Sequence, residues 1–264
     1  MRSLHRLLRS IRRTLVPDLC CICGCSLGPN EEGLCLACLS KLPYTHIHGQ
    51  PGNSVECCFW GLIPIERAAA YIAYRQGGQS ARLFSALKYH GRVELGQIMG
   101  RQMAKAMKPY GMFDGIDAIV PIPLAAERMR ERGYNQAQLL AEGVSQETGL
   151  PVLTDAVRRV VSNPTQTRLN RAERWKNVKG IFVADHPEQF RGKHVLLMDD
   201  IVTTGSTLVA CAQALMGAGE IKFSVLTLGM GVSVSMMPYS PPDDEEGEYD
   251  MSYEPYIVRE DPDQ

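Results

Sequence analysis

Residues 194–207, His-Val-Leu-Leu-Met-Asp-Asp-Ile-Val-Thr-Thr-Gly-Ser-Thr, decide the fold that this chain is expected to adopt. The apolar run from Val195 to Met198 predicts a buried parallel strand. Two carboxylates, Asp199 and Asp200, follow that run, and a small, hydroxyl-rich turn then extends from Thr203 to Thr207. An alanine-rich helical pattern comes next, and a strand that turns into a helix start is typical of phosphate-binding sites. There, free backbone N–H groups and the positive end of the helix dipole point at one place.

The residue types in this turn suit a phosphorylated sugar. The hydroxyls of Thr203, Thr204, Ser206 and Thr207 add hydrogen-bond donors, and Gly205 lets the backbone approach an anion closely. The two adjacent acids suit a ribose diol or a metal ion held beside the phosphate. The alternative is an ordinary strand–turn–helix with a polar turn. A Walker A loop is excluded, since the stretch has no Gly-Lys-Ser/Thr.

The charge of the chain is unevenly distributed. Its formal net charge is −1, but residues 243–264 hold ten acids and one base, which leaves 27 basic and 19 acidic side chains elsewhere. A body of charge +8 favours anionic ligands, phosphates above all and nucleic acid as a second class. The acidic segment cannot bury enough apolar surface to fold, so we predict that it is disordered.

The length of 264 residues suits one domain and a smaller module. We predict a basic amphipathic helix over residues 1–16, a zinc-binding module over 17–62, the main domain over 63–232 and a disordered acidic tail over 233–264. The arginines of the N-terminal helix argue against a secretory signal. The apolar face of this helix is expected to contact either a membrane surface or the protein itself. No stretch approaches the ~20 apolar residues of a membrane span. Since no signal peptide is recognised, we predict that the chain stays in the cytoplasm.

Eight of the nine cysteines precede residue 60. Two Cys-x-x-Cys pairs are formed by Cys20, Cys23, Cys35 and Cys38. Two such pairs brought together present four thiolates in a tetrahedron, as structural zinc requires. A pair of disulfides is the alternative, which a reducing cytoplasm disfavours. Cys21 and Cys25 are further thiols in the same segment, and Cys21 provides an alternative pairing.

Two helices are predicted in the middle of the chain, from Gln79 to His90 and from Val93 to Met107. Lys88 lies at the end of the first helix, where it is either solvated or directed at an anion. A strand is predicted from Ile116 to Ile122, and a basic turn with a glycine follows it.

This basic turn contains Arg130, Arg132 and Gly133 ahead of a predicted helix. Arginine supplies charge and fork-shaped donors, so the turn suits a second phosphate group, in particular a pyrophosphate. A third basic element, residues 158–179, includes Arg171 and Arg174. We predict that it forms a mobile loop that closes over a phosphate-rich ligand, although a solvated charged segment has the same composition.

In this order, these elements resemble the ComF family of bacterial competence proteins, which have a type I phosphoribosyltransferase domain. The matching pieces are the four cysteines, Leu87-Lys88-Tyr89-x-Gly91, Val120-Pro121-Ile122-Pro123, Arg132-Gly133-Tyr134-Asn135-Gln136, Thr165-Gln166, Arg171-x-x-Arg174-x-x-Asn177-Val178 and the Asp199-Asp200 motif. Many relatives have a second pair of cysteine knuckles, whereas this chain has Cys57-Cys58 in that region. The adjacent pair is predicted to be two small core or surface thiols.

The resemblance implies an α/β fold with a parallel, twisted sheet from about residue 64 to 232, helices on both faces and a zinc module in front. It implies that phosphoribosyl pyrophosphate (PRPP) binds with Mg²⁺, its 5′-phosphate on Thr203–Thr207 and its ribose on the catalytic acids Asp199 and Asp200. The pyrophosphate would then lie near residues 130–133, with Lys88, Arg171 and Arg174 as further substrate-binding residues.

The resemblance further implies work on DNA taken up during transformation, with helicase or recombination-mediator proteins as partners. Two hypotheses follow from it. In the first, the protein is an enzyme that transfers phosphoribose to a nitrogen nucleophile. In the second, it is a non-catalytic module that binds single-stranded DNA or a protein partner.

Overall fold

The computed structural model describes residues 18–89, 93–160 and 180–231. The predicted N-terminal helix, the predicted acidic tail and the basic residues Arg171 and Arg174 therefore lie outside the described residues. Within them, the helices are α1 (Leu36–Ser40), α2 (Gln79–Tyr89), α3 (Val93–Met107), α4 (Ala126–Arg132), α5 (Gln136–Thr148) and α6 (Ser206–Leu215). The strands are β1 (Ile65–Ala73), β2 (Ala118–Pro121), β3 (Arg158–Arg159), β4 (Phe182–Val183), β5 (His194–Val202) and β6 (Lys222–Met230).

The main sheet has four strands in the order β1-β6-β5-β2, and all its pairs are parallel. Its central strand β5 follows from the sequence, because Val195 to Met198 are fully buried and apolar on both faces. Each outer strand has a short neighbour, since Tyr44 forms an antiparallel bridge with Ile72 of β1 and Val152 a parallel one with Ile119 of β2. The predicted class, an α/β fold with a parallel sheet, is confirmed.

The two faces of the sheet carry separate hydrophobic cores. On one face, residues of α2, α3 and α5 pack together with the N-terminal cysteines, and Met99, Met103 and Leu140 are fully buried there. On the other face, α6 packs with Phe59, Phe190 and Phe223. The four-cysteine segment therefore shares a core with the helices of the main domain, and the predicted coverage of both faces by helices is observed.

Strand β5 is longer than the sequence predicted. Asp199 and Asp200 lie inside the strand and do not follow it, because β6 continues beside them, with Asp199 opposite Thr227 and Val202 opposite Met230. Helix α6 also begins earlier than predicted, at Ser206. The turn between strand and helix is therefore reduced to Thr203, Thr204 and Gly205.

Helices α3 and α5 approach each other closely at three glycines. A Cβ atom on Gly100 would stand 2.1 Å from the carbonyl oxygen of Leu140, and one on Gly143 would stand 2.2 Å from that of Gln97. A Cβ atom on Gly96 would stand 2.4 Å from Cβ of Leu139. Since the contacted atoms are mostly backbone, no side-chain rotation can make room, and the helices must separate to admit a methyl group.

We expect Gly100→Ala to lower the free energy of unfolding by about 3 kcal/mol, because overpacking a close helix contact displaces both backbones. Gly217→Ala is the matched control, since no atom lies within 4 Å of its added Cβ and its φ is not positive. That variant should change stability by less than about 0.5 kcal/mol. Urea unfolding of both variants measures the difference, and equal stabilities would contradict the packing described for α3 and α5.

Candidate functional site

The junction between β5 and α6 forms a concave, hydroxyl-lined surface. Thr204 and Ser206 are almost fully buried, and their side-chain oxygens lie 3.0 Å apart. Asp199 and residues 201–208 line the hollow above them. The first backbone N–H groups of α6 have no acceptor within the helix, and so they can donate to an anion seated here.

Gly205 is required in this junction for two reasons. It has a left-handed backbone, with φ of +74°, and a Cβ atom there would stand 2.9 Å from Cε1 of Phe59 and 3.3 Å from Cβ of Cys58. Phe59 and Cys58 are themselves fully buried. The turn therefore rests directly on the segment that follows the cysteine module. The sequence predicted core or surface positions for Cys57 and Cys58 but gave no sign of this contact.

Asp199 and Asp200 stand side by side at the carboxyl end of β5. The backbone N–H of Asp200 donates to Oδ1 of Asp199 over 2.8 Å, and Nζ of Lys88 lies 3.1 Å from Oδ2 of Asp200. Burial, and after it the negative charge of Asp200, raises the pKa of Asp199 well above its usual value. Lys88 opposes that shift. The two acids thus form one coupled pair that is partly neutralised by a lysine.

Lys88 also borders a second hollow, next to the acid pair. This cleft has a volume of about 200 Å³ and is lined by Lys88, Tyr89, Glu131, Arg132 and Tyr134. The Tyr134 hydroxyl donates to the carbonyl oxygen of Leu87 over 3.0 Å, which ties the last turn of α2 to the segment after α4. The structure therefore brings the predicted residues Lys88 and Arg132 to one cleft beside Asp200.

The predicted basic turn is a short helix. Arg130 and Arg132 belong to the last turn of α4, and Gly133 ends that helix with φ of +78°. The correction has a simple reason, since Ala, Glu, Arg and Met are all good helix formers and glycine is the common residue after a helix end. Arg130 is exposed, whereas Arg132 is half-buried with its guanidinium 5.4 Å from the Tyr89 ring centroid. The Nε of Arg132 is buried and makes no hydrogen bond in the described structure.

Arg159 is a site residue that the sequence analysis did not single out. It lies in β3, with its guanidinium 5.6 Å from the Phe182 ring centroid. Burial, and after it the charge of Arg128, lowers the pKa of Arg159, whereas the charge of Asp199 raises it. Arg159 therefore lies within electrostatic reach of both Arg128 and Asp199. The signal available in the sequence was only that Arg158 and Arg159 open the third basic element.

The thiols of Cys20, Cys23, Cys35 and Cys38 converge, with all four sulfur atoms within 4.8 Å of one another. Those of Cys23 and Cys35 lie 3.7 Å apart, close to the edge of about 3.8 Å that a tetrahedron with 2.3 Å zinc–sulfur bonds requires. The Cys25 backbone N–H, together with neighbouring thiols, lowers the pKa of Cys23 to about 6. A thiolate at neutral pH is the form that binds a metal. The four residues fit a metal ion, as predicted.

The cysteine cluster is docked on α3. A Cβ atom at Gly33 would stand 3.0 Å from Cδ1 of Leu95, and Arg101 of α3 lies 2.8 Å from the carboxylate of Glu32. Cys25, the thiol next to the cluster, is exposed, and its sulfur lies 3.3 Å from that of Cys23. Cys21 is half-buried and packs against the same core.

The chain is similar in sequence to three kinds of bacterial protein. It is 29% identical over 228 residues to DNA utilization protein YhgH of Escherichia coli, covering 81% of this chain and 97% of that protein. It is 39% identical over 109 residues to competence protein F of Haemophilus influenzae, covering 40% of this chain and 48% of that protein. It is 35% identical over 102 residues to competence protein ComFC of Bacillus subtilis, covering 39% of each.

The fold is also similar to solved structures. A glutamine PRPP amidotransferase from B. subtilis, complexed with ADP and GMP, matches with a TM-score of 0.37 and 17% identity. The match covers 55% of this chain and 30% of the solved chain. No protein-family model matches the chain. Across the three described ranges, no helix has the length and apolar character that crossing a bilayer requires.

Because the pKa of Asp199 is raised, replacing this residue with the neutral isostere Asn should increase the free energy of unfolding by an amount that depends on pH. A group with a raised folded-state pKa contributes stability below its unfolded pKa and loses it as the pH rises through the folded pKa. We expect Asp199→Asn to increase the free energy of unfolding by about 1 kcal/mol near pH 8, and the gain to shrink toward pH 5.

Asp155, which is an exposed acid, provides the control. Asp155→Asn should show no such trend when thermal unfolding is followed from about pH 5 to about pH 8. A gain for Asp199→Asn that is independent of pH would contradict the coupled acid pair.

Proposed function

This chain is a homologue of DNA utilization protein YhgH and of competence proteins F and ComFC, and on that premise we propose that it binds PRPP or a related phosphoribosyl ligand. The observation that carries the proposal is the continuous arrangement from Asp199 to Thr207. Two acids near the carboxyl end of a central strand are followed, after the last residues of that strand, by a buried hydroxyl pair and the N-terminus of a ten-residue helix. That edge of a parallel sheet is where open α/β folds bind ligands.

In this proposal each hollow suits one part of the ligand. The 5′-phosphate accepts from the N–H groups and hydroxyls of Thr203–Thr207, and the ribose diol donates to Asp199 and Asp200. The diphosphate then extends toward the cleft of Lys88 and Arg132, where a buried guanidinium N–H has no partner within the described residues. Arg130, Gly133, Arg171 and Arg174 stay predicted substrate-binding residues on the strength of the sequence.

The proposed reaction is the transfer of phosphoribose to a nitrogen nucleophile. The nucleophile's lone pair forms the new bond to C1 of the ribose, and pyrophosphate leaves with the electrons of the broken C–O bond. Asp199 and Asp200 lie where positive charge builds on the ring, and Arg132 and Lys88 lie where negative charge departs. A Mg²⁺ ion bound with the diphosphate would supply further charge neutralisation for the leaving group.

We further propose that the four-cysteine cluster holds one structural zinc ion. Its support is the sulfur geometry, together with the burial of Cys20, Cys35 and Cys38 in the core that also contains Leu95 and Met99. Losing the metal would leave several thiols crowded in that core. Because the cluster contacts α3, zinc would stabilise the main domain as well as its own segment.

A second candidate function is the binding of single-stranded DNA. The specific observation is Tyr89, whose side chain is 69% exposed, with Arg132 against its ring and Lys88 beside it in the sequence. An exposed aromatic ring among cations is a platform on which bases stack while the phosphates are neutralised. We propose that either activity serves DNA uptake or use in the cytoplasm, with helicase or recombination-mediator proteins as partners.

The PRPP proposal predicts a sharp effect of the acid pair. Asp199→Asn with Asp200→Asn should weaken PRPP binding in the presence of Mg²⁺ by about 100-fold or more, because both charged acceptors of the ribose diol become neutral. Isothermal titration calorimetry measures the affinity, and circular dichroism checks that the variant is folded. Asp114→Asn with Asp117→Asn is the charge-matched control and should bind as the wild type does.

Unchanged affinity in the Asp199/Asp200 double variant would overturn the PRPP proposal. An assay of pyrophosphate release from PRPP, with a panel of bases as acceptors, then shows whether the protein is an enzyme or only binds its ligand. No release with any base, together with a DNA affinity that falls steeply with salt, would favour the DNA-binding candidate.

The zinc proposal predicts one zinc ion per chain by elemental analysis. Cys35→Ser should lose that metal and lower the unfolding temperature, since metal-binding free energy is folding free energy in such a cluster. Cys25→Ser is the matched control, because its exposed thiol lies outside the four-sulfur group. Full zinc content in the Cys35 variant, or loss of zinc in the Cys25 variant, would show that the ligand set is wrong.

A further inference from the structure

We propose that Lys88 takes the place of a divalent cation at the Asp199–Asp200 pair. In this arrangement the acids accept the ribose hydroxyls, and a metal ion enters the site only as part of the metal–diphosphate ligand. The inference rests on the proposed function for the identity of that ligand. The exclusion of a free metal ion by Lys88, however, is a property of the protein without any ligand.

Lys88 is held in position before any ligand binds. Its Nζ lies 3.1 Å from Oδ2 of Asp200 and 5.7 Å from the ring centroid of Phe84, and the two paired side chains are 26% and 15% exposed. The hydrogen bond from Tyr134 to the carbonyl of Leu87 fixes the same helical turn from the other side. Little side-chain entropy remains to be lost when the pair forms, so the contact is stronger than a typical exposed ion pair.

The oxygens of the acid pair are already engaged on two sides. Oδ2 of Asp200 faces Lys88, and Oδ1 of Asp199 accepts the backbone N–H of Asp200. Mg²⁺ requires close to octahedral oxygen coordination and gives up its water reluctantly, so it gains little from the oxygens that remain. A sugar hydroxyl needs only one acceptor lone pair, and a carboxylate oxygen that already accepts one hydrogen bond still offers another.

The charge balance leads to the same assignment. When both carboxylates are ionised, the group carries a net charge of −1 with Lys88 in place, whereas the two acids without the lysine would carry −2 and attract a free divalent cation. The same lysine borders the cleft that contains Arg132. Lys88 therefore separates an acidic surface suited to the ribose from a basic surface suited to the diphosphate. Its proposed role is that of a positioning and specificity-determining residue.

Replacing Lys88 tests the inference without any phosphoribosyl ligand. Mn²⁺ serves as the probe for a hard divalent cation, and electron paramagnetic resonance counts free and bound ion on the full-length, zinc-loaded protein. Lys88→Met keeps an unbranched side chain over Phe84 but removes the charge. We expect it to bind one additional Mn²⁺ at least about tenfold more tightly than the wild type does at that site, because a neutralising cation has been removed from beside the acids.

Three further variants control the measurement. Lys88→Arg restores the charge and should return the affinity to the wild-type level. Lys88→Met combined with Asp200→Asn should abolish the gain, and this variant also measures the background from the acidic C-terminal segment. Lys105→Met removes a lysine in the last turn of α3 that lies 3.4 Å from Glu147 of α5, away from the acid pair, and this variant should behave as the wild type.

The inference is overturned if the wild type and Lys88→Met bind Mn²⁺ equally, or if the gain persists in the variant that also carries Asp200→Asn. Thermal unfolding confirms that each variant is folded at the temperature of the measurement. Because PRPP is absent throughout, failure here leaves phosphoribosyl binding standing. Failure of the calorimetric PRPP test would in turn leave the exclusion of metal by Lys88 standing.

Discussion

The parallel pairing of β5 between β2 and β6 is the constraint on which the rest of the site depends. Parallel strands place all their carboxyl ends at one edge of the sheet, so whatever follows β2 must lie beside whatever follows β5. The register sets Pro121 opposite Met198, one residue before the acid pair. The segment that follows β2 therefore lies at the same edge as the acid pair, and Arg132 of α4 lines one cleft with Lys88, the partner of Asp200.

The N-terminal part of the chain supports this edge from two directions. Phe59 and Cys58 lie against Gly205, so the segment after the cysteine cluster packs beneath the turn between β5 and α6. The cluster itself packs on α3, which is held tightly to α5 through Gly100 and Gly143. Helix α5 begins at Gln136, just beyond Tyr134, whose hydroxyl donates to the end of α2. A chain of close contacts thus connects the cysteines with Lys88.

The sequence predicted the fold class and the main site elements because their signals are local. The buried run before Asp199, the hydroxyl-rich turn and the twin Cys-x-x-Cys pairs each need only neighbouring residues to be recognised. The end of β5 was predicted too early, since two acids normally end a buried strand and only the pairing with β6 shows that the strand continues to Val202. The sequence does not reveal the helical state of Arg130 and Arg132, because a glycine after a basic run can either end a helix or belong to a turn.

Contacts between distant segments could not be predicted from the sequence. Nothing near Lys88 distinguishes a solvated helix-end lysine from one paired with Asp200, which lies 112 positions away along the chain. The same holds for Phe59 beneath Gly205 and for Arg159 near Asp199. Each of these contacts depends on how the helices and loops are arranged around the sheet. Whether Lys88 is solvated or paired is therefore decided by that arrangement and not by the residues near it in the sequence.

A crystal structure of the full chain grown with Mg²⁺ and PRPP would show the ligand at the site directly. We expect the 5′-phosphate within hydrogen-bond distance of the N–H groups of residues 203–207, and the ribose hydroxyls on Asp199 and Asp200. We expect the diphosphate on the side of Lys88 and Arg132, with the metal ion bound to the diphosphate and Lys88 still beside Asp200. A ligand seated elsewhere on the chain, or a phosphate that avoids the β5–α6 turn in a fully occupied complex, would contradict the proposed site.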